Sequence, residues 1–375
     1  MVVVVGIDVH KGTHTAVAVD AAGRQLAQRM VRATSAGHQQ LVRWAGQVRV
    51  QVFERSGAAA AVQFAVEDCR HLTVGLERDL LTAGEVVVRV PPKLMARARS
   101  SARTRGKSDP IDALAIARAA LREPGLPRAE HSPVSRQVKL LVDHREDLVA
   151  MRTAAQNRLR WHLHSLNQVT AGGQDQVWDP PARSLDVLMQ LDRLATGVEF
   201  IDPDALTIDL RITRRVALEL IADIRAWTVR ANGLEREIAT LMADQAPRLL
   251  QLRGCGALTA AKLVGESAGA GRFRSEAAFA MHAGVAPVPA SSGKTSRHRL
   301  ARGGNRQLNA ALHRIAITQV RLTDSLGHAY YQRRLTRGDT TTEALRALKR
   351  RLARLVHGLL TAPDTTAAAP LPQAA

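Results

Sequence analysis

The sequence predicts an α/β domain over residues 1–125, followed by a long helical middle and a mostly helical carboxyl-terminal domain. Three observations lead to this fold class. Continuous apolar runs at 2–9, 62–68 and 85–92 suit strands that are covered on both faces. Segments with helical spacing lie between these runs, and beyond Val134 the helical spacing dominates. This order of elements is typical of an α/β architecture rather than of a helical bundle.

The elements of the first domain follow from local patterns in chain order. VVVVGIDV (2–9) predicts the first strand, and THTAVAVDAAGRQLAQRMV (13–31) predicts two strands joined by a turn at 20–24. We expect a helix at 37–48, a strand at 62–68, a helix after it, and a strand at 85–92. RTRGKSDPIDALAIARAAL (103–121) supplies the closing helix. Three meandering strands followed by alternating helices and strands predict a mixed sheet of the ribonuclease H type.

Residues 133–245 are predicted to form a helical middle region with coiled-coil character. A proline-rich linker precedes it, and a glycine- and proline-rich break at 171–184 separates its first helix from a second one at 206–243. Two such helices suggest a protruding antiparallel hairpin, and an internal core of four helices explains the same pattern. The apolar residues of the first helix that fall on a heptad seam are Val134, Val138, Leu141, Leu148, Ala155 and Leu159.

The carboxyl-terminal domain is expected at 246–360. LLQLRGCGALTAAKLVGE (249–266) reads as a helix, a tight Gly-x-Gly turn and a second helix. That order fits a helix-hairpin-helix, whose turn amides can face a phosphate, and it fits a plain pair of helices equally well. The tail at 361–375, rich in Ala, Pro and Thr, is expected to be disordered.

Composition points to a polyanionic partner. The formal net charge of +19 favours nucleic acid, although an arginine-biased proteome would also produce a basic surface. Only 3% of the residues are aromatic, so we expect contacts to phosphates rather than base stacking. Two distant cysteines indicate neither a disulfide framework nor a zinc site, which suits a reducing cytoplasm. MVVVVGIDVHKG is too short for a signal peptide or a membrane span.

Four carboxylates fall at the places where a metal-dependent phosphoryl-transfer site would need them. Asp8 lies in the first apolar strand, where a charge is costly unless it is paired or bound to metal. Glu67 ends the central strand, and Asp109 and Asp112 lie one helical turn apart. Hard oxygen ligands favour Mg²⁺, and Mn²⁺ would satisfy the same residues. The order Asp, Glu, Asp, Asp therefore predicts a two-metal site.

Each of these carboxylates has a competing interpretation. Asp109 before Pro110 is the pattern of a helix N-cap, with Asp112 as an acidic residue of the first turn. Asp68 competes with Glu67, and because neighbouring strand residues point to opposite faces, only one of the two should reach a metal. We favour Glu67.

Two basic segments are candidate phosphate-binding sites. The second one, ASSGKTSRHRLARGGNRQL, also contains Ser292, which precedes a glycine among cations that could stabilise a charged phosphorane. No general base is evident beside it except His298, so on its own this segment reads as a basic loop with incidental serines. The candidate phosphate-binding residues are Lys93, Arg97, Arg99, Arg103, Arg105 and Lys107 in the first segment and Lys294, Arg297, Arg299 and Arg302 in the second.

Five motifs occur in an order that resembles a known family. They are GIDVHK, AVED, KSDPIDALAIA, LRGCGALTAAKLVGE and the late AGVAP, SSG and GGNRQL segment, and together they span about residues 3–320. The chain therefore resembles the IS110 family of insertion-sequence transposases. The resemblance implies a RuvC-like domain with a DEDD metal site, a coiled-coil middle, and a carboxyl-terminal transposase domain that carries a nucleophilic serine.

By this resemblance Asp8, Glu67, Asp109 and Asp112 would hold the metal, and Ser292 would attack DNA, with Ser291 and Ser296 as alternatives. It also implies donor and target DNA as substrates, an element-encoded bridge RNA as guide, and dimers that assemble into tetramers. Pairing by a guide RNA suits a basic protein with few aromatic residues.

Two other functions stay open. A hydrolytic nuclease or junction resolvase would use the carboxylates and water without Ser292. A non-catalytic nucleic-acid-binding protein, such as a decayed transposase, would use the carboxylates only as structural caps.

Overall fold

The computed structural model describes residues 2–67, 70–91, 94–95, 108–123, 125–130, 132–170, 187–290, 298–301 and 303–362. The chain divides into two compact units. The first consists of Met1–Pro133 and Ala268–Met281, and the second of Val134–Ser267 and His282–Ala375. The three-domain division expected from the sequence remains a prediction, and the inclusion of 268–281 in the first unit is a feature that the sequence did not indicate.

A five-stranded mixed sheet forms the centre of the first unit. Its order is β3-β2-β1-β4-β5, with β1–β2 and β2–β3 antiparallel and β1–β4 and β4–β5 parallel. This topology confirms the mixed sheet predicted from the sequence. The strands are β1 (Val2–Val9), β2 (Thr13–Val19), β3 (Gln25–Arg32), β4 (Ala61–Glu67) and β5 (Val86–Val90).

Helices cover both faces of this sheet, as the continuous apolar strands require. The helices of the first unit are α1 (Ser35–Ser56), α2 (Arg70–Thr82) and α3 (Asp109–Arg122). On one face, Val5 and Ile7 of β1 pack with Leu41 of α1 and Leu76 of α2. On the other face, Val4 of β1 packs against α3. Helix α1 is longer than the 37–48 expected, and Gly57 in the left-handed conformation (φ 65°) ends it.

Two long helices dominate the second unit. Its helices are α4 (Pro133–Thr170), α5 (Leu188–Glu199), α6 (Ile208–Gln245), α7 (Pro247–Leu250), α8 (Ala257–Ser267), α10 (Arg306–Arg321), α11 (Leu326–Thr336) and α12 (Thr341–Thr361). Helix α9 (Glu276–His282) belongs to the first unit except for its last residue. Helices α4 and α6 are antiparallel, because Leu159 lies in one apolar cluster with Ala217 while Arg145 pairs with Glu235 at 2.6 Å. The expected antiparallel pair is present, and its coiled-coil character remains a prediction.

Two features of the second unit differ from expectation. Helix α5, which the sequence pattern did not indicate, adds Leu191 and Val198 to the cluster between α4 and α6. The first helix of the expected helix-hairpin-helix is a single turn, α7, and α8 follows a turn with Gly254 at φ 83°. Within the part of the chain that the structure describes, no helix is both long and apolar enough to cross a bilayer.

Candidate metal centre

Two of the predicted carboxylates lie at the carboxyl ends of neighbouring parallel strands. Asp8 is the next-to-last residue of β1, and Glu67 is the last residue of β4. The register pairs Ile7 with Val66, so Asp8 and Glu67 each stand one step further along the same two strands. Open α/β sheets place their ligands at this edge.

Side-chain alternation puts Glu67 on the face of the sheet that α3 covers. Along β4, Val66 packs with α1 and α2, whereas Ala65 packs with α3. Glu67 shares the face of Ala65, and Asp8 shares that of Val4, because neighbouring residues on a strand alternate. Asp68 lies outside the described residues.

Helix α3 approaches β1 closely because Gly6 has no side chain. A Cβ atom at Gly6 would lie 2.1 Å from the Ala113 carbonyl oxygen and 2.5 Å from the Ala117 nitrogen. These contacts set the α3 backbone directly against the strand, with the first turn of the helix beside the end of β1. Asp109 and Asp112 are in that first turn.

The interpretation of Asp109 as the N-cap is wrong. Ser108 is the N-cap, with extended backbone (φ −154°, ψ 153°), and the helix begins at Asp109 with Pro110 in its first turn. Proline is tolerated there because the first amides of a helix have no intrahelical partner. The Asp109 carboxylate is therefore not the cap of this helix, and its Oδ1 atom lies 3.4 Å from His10 Nε2, just beyond β1.

Asp8, His10 and Asp109 converge at this edge. His10 Nε2 lies 3.2 Å from Asp8 Oδ2 and 3.4 Å from Asp109 Oδ1. Among the residues that the structure describes, these three form a group whose potential ligand atoms all lie within 4.8 Å of one another. Asp112 is buried and close enough to act electrostatically on Asp8.

The electrostatics of Asp8 suit a cation. Burial raises the pKa of the Asp8 carboxyl, and the negative charges of Asp112 and Asp109 raise it further, while His10 opposes these effects. A carboxylate in this position is destabilised until a positive charge compensates it. A divalent ion would provide that charge.

Thr15 presents a polar group to the same edge. It pairs with Asp8 across β1 and β2, so both side chains are on one face of the sheet. The Thr15 hydroxyl is buried and has no hydrogen-bond partner among the described residues. Buried polar groups without a protein partner are rare, and such a group commonly bonds a water or an ion.

These residues fit a divalent metal. Carboxylate oxygens are hard ligands that Mg²⁺ and Mn²⁺ accept, and the orphaned Thr15 hydroxyl can bond a metal-bound water. The structure brings Asp8 and Asp109 together, places Asp112 within electrostatic range of Asp8, and aligns Glu67 with Asp8 on the adjacent strand.

Most other predicted site residues lie outside the described residues. Arg299 is the exception, an exposed residue of β7 (His298–Leu300), which pairs with β6 (Pro287–Pro289) in an antiparallel ribbon. The segment between these strands includes Ser292. Outside the described residues lie Lys93, Arg97, Arg99, Arg103, Arg105, Lys107, Ser291, Ser292, Lys294, Ser296, Arg297 and Arg302.

A polar network supports the chain on either side of this ribbon. Asn305 caps α10 by accepting from the amides of Gln307 and Leu308, and its Nδ2 donates to Glu266 Oε2 at 2.7 Å. Asn309 Nδ2 donates to the Gly284 carbonyl oxygen at 3.0 Å. Both asparagines of GGNRQLN thus fix chain segments that flank the ribbon.

Sequence reasoning missed His10 and Thr15. His10 has a usable signal, because it stands two residues after Asp8 just beyond the strand, where it can turn to the same side. Thr15 has no such signal, since only the register of β1 with β2 places it opposite Asp8.

Two family models match the chain. Residues 5–168 match a model described as a transposase, of the DEDD type of IS110, and residues 246–332 match one described as transposase of the IS116/IS110/IS902 family.

Proteins of bacterial insertion elements resemble it along most of their length. The 44.8 kDa protein of IS116 from Streptomyces clavuligerus is 28% identical, over 95% of this chain and 94% of its own. The 43.6 kDa protein of IS110 from Streptomyces coelicolor is 27% identical, over 74% and 76%. The 42 kDa protein of IS900 from Mycobacterium paratuberculosis is 26% identical, over 75% and 78%.

Among solved structures, RuvC of T. thermophilus in complex with a Holliday junction substrate aligns at a TM-score of 0.22 and 19% identity. The alignment covers 32% of this chain and 94% of that one.

Proposed function

Since the chain belongs to the IS110 family of transposases and is an enzyme that acts on DNA, we propose that it cuts and rejoins donor and target DNA by metal-dependent serine recombination. The observation that carries the proposal is the convergence of Asp8 and Asp109 where β1 meets α3, with Asp112 close enough to act electrostatically on Asp8. Structural caps would not need to meet at one point.

Asp8, Glu67, Asp109 and Asp112 are the residues that would hold the metal. A bound divalent ion, Mg²⁺ or Mn²⁺, supplies positive charge next to a scissile phosphate. The carboxylates fix that charge in position because two of them are on sheet strands and two are on the first turn of one helix. Rigid elements of this kind hold a site more precisely than loops do.

Ser292 is the proposed nucleophile. Its hydroxyl oxygen forms a bond to a DNA phosphorus while the bond from phosphorus to one deoxyribose oxygen breaks. The serine gives up its proton and the departing sugar oxygen takes up a proton. The phosphorus therefore has two ester bonds before and after the step. A sugar hydroxyl then attacks the phosphoserine in the reverse sense and releases Ser292, which conserves the bond energy.

The resemblance to the family and the place of Ser292 in the sequence, directly before Gly293 in a basic segment, support this assignment. The antiparallel pairing of β6 and β7 holds the two ends of the Ser292 segment together. Exposed Arg299 lies on β7, and a phosphorane would need positive charge of this kind to stabilise it.

The proposed partners are DNA and an element-encoded bridge RNA, with the protein as a dimer that assembles into a tetramer. The formal charge of +19 and the 3% aromatic content support recognition of backbones rather than stacked bases. Sequence would then be read by base pairing of the guide.

A covalent adduct is the direct test of the serine chemistry. The full chain, co-expressed with the non-coding sequence that flanks its gene, is incubated with labelled donor and target DNA and Mg²⁺. We expect a denaturant-resistant protein–DNA adduct that Ser292→Ala and Asp109→Asn each reduce at least about a thousandfold. Ser291→Ala is the matched control and should retain the adduct.

Other outcomes contradict the proposal in different ways. Nicked DNA without an adduct, unchanged in Ser292→Ala, would show a hydrolytic nuclease. An adduct that is lost in Ser291→Ala and retained in Ser292→Ala would move the nucleophile by one residue. Products that do not depend on metal or on Asp109 would leave the carboxylates without a catalytic role.

A further inference from the structure

His10 places an imidazole nitrogen between two of the proposed metal ligands. Its Nε2 atom is 3.2 Å from Asp8 Oδ2 and 3.4 Å from Asp109 Oδ1. An imidazole can hydrogen-bond a carboxylate or bind a metal through the same nitrogen. Its contacts here are therefore compatible with either role.

The spacing matches the ligand shell of a six-coordinate ion. Ligand atoms about 2.1 Å from such an ion lie about 3.0 Å apart when they are adjacent. The two distances from His10 Nε2 are close to this value, and all three ligand atoms lie within 4.8 Å of one another. Small side-chain adjustments would therefore turn the observed contacts into a coordination site.

The position of His10 in the chain allows that adjustment. Its backbone amide donates to the Thr13 carbonyl oxygen at 3.1 Å, which closes the turn between β1 and β2. The backbone is thus fixed, while half of the side chain is exposed and can change its rotamer. Asp8 is on β1 and Asp109 is on α3. His10, on the turn between β1 and β2, therefore approaches the same point from a third element.

Thr15 gives independent support for a ligand at this point. Its hydroxyl is fully buried, faces the side of Asp8, and lacks a hydrogen-bond partner among the described residues. An arrangement that consisted only of an ion pair between His10 and the two carboxylates would leave this hydroxyl unsatisfied. A hydrated ion would supply a water for it.

We propose that His10 Nε2 is a nitrogen ligand of the divalent ion that Asp8 and Asp109 bind. The inference rests on the proposed metal-dependent function and adds a residue to its site. Imidazole suits later transition metals better than it suits Mg²⁺. The site therefore has a greater preference for Mn²⁺ over Mg²⁺ than four carboxylates alone would give.

Pulsed electron paramagnetic resonance on Mn²⁺ tests this without any measurement of activity. The full chain receives one equivalent of Mn²⁺, and electron spin echo modulation detects ¹⁴N bound directly to the ion. We expect ¹⁴N modulation in the wild type and in His164→Ala, a variant of an exposed histidine on α4. The modulation should disappear in His10→Ala, although Mn²⁺ stays bound.

Calorimetry measures the preference between metals. His10→Ala should weaken Mn²⁺ binding on the order of tenfold and Mg²⁺ binding by clearly less. Equal losses for the two ions would contradict a nitrogen ligand.

The outcomes separate this inference from the proposed function. Mn²⁺ that binds with an affinity dependent on Asp109 but without ¹⁴N modulation would overturn the role of His10 and leave the carboxylate site intact. A wild-type protein that binds neither Mn²⁺ nor Mg²⁺ would overturn both. Modulation that persists in His10→Ala would assign the nitrogen to another histidine and reject the inference.

Discussion

At the scale of single residues, the two faces of the sheet hold different ionisable groups. Asp8 and Thr15 face α3, whereas His14, next to Thr15, faces the opposite side. There His14 Nε2 lies 3.1 Å from His38 Nε2, and His38 Nδ1 lies 2.7 Å from Asp79 Oδ2. Both histidines are buried, and His14 Nδ1 has no hydrogen-bond partner among the described residues. Protonation of His14 would therefore disturb the arrangement of His14, His38 and Asp79.

His14 makes stability depend on pH. Burial lowers the pKa of His14 to about 4, and the electrostatic influence of His38 adds to the effect. Between pH 6.5 and 4 the unfolded chain binds a proton at His14 that the folded chain excludes, so the free energy of unfolding falls as the pH falls through this window. The full effect is about 3 kcal/mol. We expect the thermal midpoint to decrease from pH 7 to 4.5 more steeply in the wild type than in His14→Leu.

Asp79, which contacts His38, does not account for the loss of stability over this pH range. Hydrogen bonds from His38, Ser35 and Arg78 lower the pKa of Asp79 despite its partial burial, so its contribution is lost only at lower pH. Equal slopes in the wild type and His14→Leu would show that His14 is not the group responsible.

At the scale of elements, the contact between β1 and α3 decides whether the carboxylates meet. Gly6→Ala would place a methyl group against the backbone of α3, which cannot move aside as a flexible side chain can. The helix must shift, and Asp109 and Asp112 shift with it. We expect a loss of about 2–3 kcal/mol in the free energy of unfolding and weaker Mn²⁺ binding.

Gly46→Ala is the matched control for that substitution. Gly46 is inside α1, and a Cβ atom there meets nothing within 4 Å. Alanine should stabilise the helix by about 0.5–1 kcal/mol without an effect on Mn²⁺. Denaturant titration and calorimetry on both variants check this. If Gly6→Ala binds Mn²⁺ as well as Gly46→Ala does, the close approach is not what brings the carboxylates together.

At the scale of the whole molecule, charge rather than shape dominates the expected interaction with nucleic acid. With a formal charge of +19, affinity for DNA or structured RNA should fall by about 10³-fold or more between 50 and 200 mM salt. Exposed Arg299 should contribute one phosphate contact, so Arg299→Ala should reduce the slope of log affinity against log salt by about 1. Fluorescence anisotropy over a salt series measures both quantities. An affinity that hardly changes with salt would contradict backbone recognition.

Most elements of the first unit, the mixed sheet and the family can be predicted from the sequence alone. These depend on local signals: apolar runs for covered strands, helical spacing, turn residues at 20–24, and motifs in order. It also located Asp8, Glu67, Asp109 and Asp112 at element ends.

Which of these side chains meet depends on contacts between elements that are distant in the sequence. Gly6 lets α3 touch β1, the register of β1 and β2 sets Thr15 opposite Asp8, and Ser108 takes the N-cap role that the sequence pattern gave to Asp109. The turn after β1 brings His10 between two carboxylates. Hydrophobic periodicity shows which face of its own helix or strand a residue occupies. The close approach of two elements and the register of two strands depend on residues that are distant in the chain.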